Sequence, residues 1–299
     1  KKKNEIRIFI LGGSTVQGRF LKDKFDPISA RIEQKLNDKD KNDNKTFFVI
    51  NAGAPSFFSV QELSLIQNRI IYALKPDAII VLNGTNDATS IPSKDFYLSN
   101  SHRFQTSFQK NLNNQSKNFF YFIDDFLSRN LSTYFSLKKG VEKILGIYLF
   151  DEEIRKYHAK IKNTSLSEKR EYRYYYNMRI LSKLANENIP IIAYLQPQML
   201  PNNFDNLNDK DKIIYNKYDL SKPNYFKDKQ EFYERILNNI KKYNNLNSES
   251  FSFYDLSDIL SKNSKNEPFY SDRVHYNHNS REIISDRIFN DLQKIFFKN

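Results

Sequence analysis

Apolar residues along the chain fall into two rhythms: short unbroken runs, and longer stretches spaced three and four apart. Ile6 to Leu11 is a mostly apolar run closed by Gly12-Gly13 and predicts a buried strand. Residues 19 to 36 carry Phe20, Leu21, Ile28, Ile32 and Leu36 at largely helical spacing. Phe47 to Ile50 predicts a second strand, followed by Asn51-Ala52-Gly53. Val60 to Leu74 places Leu63, Leu65, Ile66, Ile70, Ile71 and Leu74 on a helical face. Ala78 to Leu82 predicts a third strand, ending at Asn83-Gly84. A helix around Tyr172 to Asn186 precedes a fourth strand at Pro190 to Leu195. Phe251 to Leu256 gives a fifth, and Arg281 to Phe297 a closing helix.

Near-continuous apolar strands alternating with amphipathic helices mean a parallel sheet covered on both faces. The predicted fold is therefore α/β, a three-layer α/β/α arrangement around a central parallel sheet. Residues 91–170 break the alternation. They hold aromatic clusters such as Phe119-Phe120-Tyr121-Phe122 and the run Ile147-Tyr148-Leu149-Phe150. A structureless loop of that length does not belong in a compact domain. The stretch is read as a helical insertion, a lid over the site or else added bulk or a dimer surface, between catalytic-domain segments 1–90 and 171–299.

Composition changes the picture in three places. The 47 Lys and Arg against 35 Asp and Glu leave a net charge of +12, an excess that favours anionic partners. The charges are interleaved, as in Asp38-Lys39-Asp40-Lys41, and no nucleic-acid-binding signature accompanies them, so a solvated mixed surface is expected and no nucleic-acid partner. The absence of Cys excludes disulfides, zinc–thiolate centres and thiol catalysis. No apolar run reaches membrane-spanning length. The chain opens on Lys1-Lys2-Lys3-Asn4 with no Met directly before the first strand. That opening predicts a removed N-terminal signal or anchor, and with it an extracytoplasmic or membrane-proximal location.

Four short segments carry groups suited to chemistry. Gly12-Gly13-Ser14 follows the first strand, where two glycines permit a sharp turn and close backbone approach. Ser14 alone reads first as a helix cap, the role of most such serines, and only second as a nucleophile. Gly53, after the second strand, can present an unobstructed N–H to an oxyanion, and Asn86, after the third, can offer its side-chain amide. Asp87 would brace that loop. Among His102, His158, His275 and His278, only His275 has a carboxylate three residues earlier, Asp272, able to fix its tautomer. The other three are read as surface histidines.

With Ser14, Gly53, Asn86 and His275 in this order, the chain resembles the SGNH hydrolase family, the GDSL-like esterases and lipases. That family carries a Ser after the first strand, a Gly after the second, an Asn after the third and a late Asp-x-x-His. Gly84-Thr85-Asn86-Asp87 fits its Gly-x-Asn-Asp block. The resemblance spans residues 6–90 and 188–297. It departs where the family's Gly-Asp-Ser is Gly12-Gly13-Ser14. It implies the family's SGNH/flavodoxin-like fold, with Ser14 as nucleophile, His275 as base and Asp272 orienting it. Ser14 N–H, Gly53 N–H and Asn86 would form the oxyanion hole, with no metal or cofactor. The implied reaction removes an acyl group, often acetyl, from a carbohydrate, a cell-envelope polymer or another small ester. Transfer of the acyl group to a polysaccharide, a lipase-like reaction and a non-catalytic glycan-binding module are the alternatives.

Overall fold

Apolar side chains in odd and even positions of the predicted strands meet two separate helical layers. The computed structural model describes residues 2, 4–20, 26–40, 45–89, 165–222, 224–261 and 267–297. Its strands are β1 (Glu5–Gly12), β2 (Thr46–Asn51), β3 (Ala78–Asn83), β4 (Ile191–Leu195) and β5 (Phe251–Asp255). All pair in parallel, in the order β2-β1-β3-β4-β5.

Ile8 and Ile10 of β1, Ile80 and Leu82 of β3 and Ile192 of β4 pack on one face. Helices α2 (Ile28–Lys39) and α9 (His278–Phe296) cover that face through Ile32, Leu36, Ile284, Ile288 and Leu292. Phe9, Leu11, Ile79, Val81, Ile191 and Ala193 pack on the other face. It is covered by α3 (Ser59–Leu65), α5 (Leu166–Leu184) and α7 (Tyr225–Asn238). The two-residue period of a strand thus serves two cores, and every residue of β3 and β4 is buried. Edge strand β2 departs from that pattern, with Phe48 and Ile50 exposed.

Three local expectations are corrected. Of the predicted 19–36 helix, the described residues are helical only from Ile28, in α2, and a separate short helix, α1 (Ser14–Gln17), precedes the predicted span. Gly18 ends α1 with φ 97°, and Phe20 sits in the left-handed region at φ 63°. The 60–74 helix changes character, since α3 widens into π-type turns over Ile66–Leu74. Between β4 and β5 a 3₁₀ turn at Pro201–Asn206 leads into α6 (Asp209–Ser221), α7 and α8 (Ile240–Asn244), none of which the apolar pattern had suggested. Short α4 (Thr85–Thr89) follows β3. Residues 91–164 of the expected insertion lie outside the described residues, and 166–170 form the start of α5. The chain divides into two units, 1–90 with 170–299 and 91–169, and the sheet lies in the first. No described helix is long and apolar enough to cross a membrane.

The chain leaves β1 towards β2 on one side and returns to β3 on the other, so the topology reverses between β1 and β3. In open α/β sheets the crevice outside the carboxyl ends at that reversal is where ligands bind. The two strands are tightly apposed there. A Cβ on Gly12 would lie 2.5 Å from the Leu82 carbonyl oxygen and would also strike Val16. Gly12→Ala is therefore expected to destabilise the fold by about 1–3 kcal/mol through overpacking. Urea unfolding should show a lower midpoint, and Tyr72→Ala, at a side chain 79% exposed, should not shift it.

Candidate active site

Ser14 opens α1 immediately beyond the Gly12-Gly13 turn, at the carboxyl end of β1. Its Oγ lies 2.7 Å from His275 Nε2. On the far side of the ring, His275 Nδ1 is 2.8 Å from both carboxylate oxygens of Asp272. A carboxylate at Nδ1 holds the ring proton there and leaves Nε2 to accept from the serine hydroxyl. The three residues that the sequence singled out for this role are joined in one hydrogen-bond chain across 261 residues of sequence.

Asp272 and His275 belong to a tight loop between β5 and α9. Tyr270 and Tyr276 pair across its base, and Ser271 N–H donates to the His275 carbonyl at 2.8 Å. Asp272 Oδ1 accepts the N–H groups of Val274 and His275, each at 2.8 Å. Burial alone would raise the Asp272 carboxyl. Hydrogen bonds from the His275 ring, the two backbone amides and the imidazole's charge outweigh it and bring the pKa down to about 2.

The loop is held from below as well. Buried Asp211 of α6 accepts the N–H of Phe269 at 2.9 Å and of Tyr270 at 3.1 Å. Tyr276 donates to the Pro197 carbonyl at 2.8 Å. Arg281 of α9 pairs with Asp26, both buried, and donates to the carbonyls of Tyr276 (2.6 Å) and Arg19 (3.1 Å). Through Arg19 it restrains strained Phe20, whose ring meets the His275 imidazole edge-on at 5.4 Å. His278 is exposed as expected, though it also pairs with Asp26 at 3.0 Å.

Asn86 lies on α4, where its Nδ2 donates to the Phe57 carbonyl at 2.7 Å. A Cβ on Gly13 would lie 2.5 Å from that nitrogen. The Asn86 amide therefore lies directly against position 13, the residue before Ser14. Gly53 packs against α1, where a Cβ would lie 2.5 Å from Gln17 N. Its own N–H donates to Asn51 Oδ1 at 3.0 Å, so it points at a side chain here. Asn51 in turn donates to the Val16 carbonyl at 2.9 Å. Asp87 braces the Asn86 loop by accepting Ser59 N–H at 3.1 Å, with Arg173 of α5 3.8 Å away. Burial raises the Asp87 carboxyl, against the pull of Arg173 and Ser59. Neighbouring Glu62 is pushed well above its usual range by burial and by the charge of Asp87. Among the described residues no cluster of three His, Asp or Glu side chains is arranged to hold a metal.

No protein-family model matches the chain, and no curated protein does. Among solved structures it is similar to a member of the lipolytic G-D-S-L family from Veillonella parvula, at 11% identity and TM-score 0.47, over 98% of this chain and 100% of that one. It is also similar to an acetylxylan esterase from Geobacillus stearothermophilus, at 12% identity and TM-score 0.49, over 98% and 95%. A lipase/acylhydrolase from Enterococcus faecalis gives 12% identity and TM-score 0.49, over 97% and 96%.

Two predictions come from this geometry. The folded pKa of Asp272 lies below the ordinary carboxyl value of 3.8, so its ionised form adds stability above that value and loses it as pH falls through about 2. The stability gap between wild type and Asp272→Asn should thus shrink from about pH 5 towards pH 2 in urea titrations; a gap widening towards acid would contradict the assignment. Gly13→Ala should push the Asn86 amide aside while leaving the melting temperature close to wild type. Crystallography of that variant would detect the displacement, and an unmoved Asn86 would count against it.

Proposed function

We propose that the protein is a serine-dependent ester hydrolase of the SGNH type. The observation that carries this reading is the unbroken chain from Ser14 Oγ through His275 to Asp272. In the proposed reaction His275 Nε2 takes the Ser14 proton as Oγ bonds to the acyl carbon. The carbonyl π electrons move onto oxygen. Collapse of that oxyanion expels the alcohol, which takes the proton from His275. Water then repeats the sequence on the acyl-serine, releases the acid and restores Ser14.

Asp272 stabilises the imidazolium formed midway without itself taking the proton. The Asn86 nitrogen carries two hydrogens; Phe57 accepts one, and the other is the donor proposed for the oxyanion. Ser14 N–H and Gly53 N–H are the remaining proposed donors. Gly53 would have to share its hydrogen with Asn51 or release it.

The substrate proposed is an acylated carbohydrate or cell-envelope polymer, with acetyl as the acyl group, as the family resemblance implies. Acyl transfer to a sugar hydroxyl uses the same steps with that hydroxyl in place of water. The reaction is tested with a short-chain aryl ester. Ser14→Ala and His275→Ala should each lower turnover by at least about 10³-fold. Asn86→Ala should lower kcat by about 10²–10³-fold, the value of one oxyanion donor. A folded Ser14→Ala protein with near-wild-type turnover would overturn the reading.

A further inference from the structure

Gln198, three residues beyond β4, is buried and takes no part in the proposed bond-making. Its two ends are bonded to two different loops of the site. Oε1 accepts from Thr85 Oγ1 at 2.9 Å, and Thr85 immediately precedes Asn86. Nε2 donates at 2.9 Å to the carbonyl of Arg273, which lies between Asp272 and His275. Oε1 also accepts from the ammonium of Lys229 at 3.2 Å. Lys229 can only donate, so it fixes which end of the amide faces Thr85 and leaves Nε2 for Arg273.

Lys229 itself is an unusual residue to bury. It is 0% exposed and makes no ion pair among the described residues, though the charge of Asp272 acts on it from a distance. Besides Gln198 it meets Tyr225, with Nζ 4.6 Å from the centre of that ring. Burying an ammonium without a paired carboxylate is costly, and here it sets the orientation of one side chain that spans both halves of the site. From these contacts we infer that Gln198 is a positioning residue, locking the Asn86 loop to the Asp272–His275 loop, with Lys229 as its clamp. The catalytic consequence rests on the hydrolase reading; the positional one does not.

The substitution that separates the two ends is Gln198→Glu. A carboxylate keeps the acceptor for Thr85 and Lys229 but faces the Arg273 carbonyl with an oxygen in place of a donor. Gln198→Met removes both ends and is the second variant should the first fail to fold. Two readouts are taken on folded protein: kcat and KM on the aryl ester, and the NMR resonance of the His275 Nδ1 proton. The expected result is a kcat lower by about 10–100-fold, as for a slight misplacement of reacting groups, with KM within about threefold. The Nδ1 resonance should shift or broaden in both variants. An unchanged resonance together with unchanged kcat in either folded variant would overturn the inference. A wild-type protein that shows the resonance but no Ser14-dependent turnover would instead sink the hydrolase reading, and the resonance would still decide the positional one.

Discussion

The close approach of β1 to the loop beyond β3 is the constraint on which the rest of the site depends. Gly12 lies against the Leu82 carbonyl, with no room for a Cβ, and Gly13 against the Asn86 amide, which a Cβ would displace. That apposition puts Ser14 and Asn86 at the carboxyl ends of adjacent strands, where the sheet order reverses. The buried strands beneath, β3 above all, supply the rigidity that a short helix such as α1 lacks. Positioning by a packed sheet also limits the ordering still to be done when a substrate arrives.

The second half of the site has no strand of its own. The loop carrying Asp272 and His275 is suspended by groups from several directions: Asp211 of α6, Tyr276 against Pro197, Gln198, and Arg281 of α9. Most of these holding groups are buried, where hydrogen bonds are least exposed to competition from water. Asp272 then fixes the imidazole at both oxygens, and the depressed pKa of its carboxyl reflects the same hydrogen bonds. Architecture and electrostatics are here two readings of one set of contacts.

The parallel sheet was legible because its strands are unbroken apolar runs, and three of the four motifs follow strands, which placed Ser14, Gly53 and Asn86 at strand ends. Asp272 and His275 were legible through local spacing, since three residues separate a carboxylate from the ring it holds. Other features left no comparable trace. Helices α6 to α8 hold many Asn, Lys and Tyr residues, and the apolar face of α7, made by Phe226, Phe232 and Ile236, is short and broken by the buried Lys229. Gln198 and Asp211 act through single long-range hydrogen bonds that no spacing encodes. Phe20 followed a helical spacing that Gly18 and Pro27 interrupt, and it lies instead beside the His275 ring. The commitment of the Gly53 N–H to Asn51 was equally invisible, because it depends on a side-chain rotamer.

The most direct test of the account is labelling of the folded protein by a fluorophosphonate, with the modified residue located by peptide mass spectrometry. A Ser14 Oγ activated by His275 should give one phosphonyl adduct on the peptide containing Ser14, and His275→Ala should abolish it. An unlabelled folded wild type, or an adduct on another residue with Ser14 untouched, would contradict the assignment of Ser14 as the nucleophile.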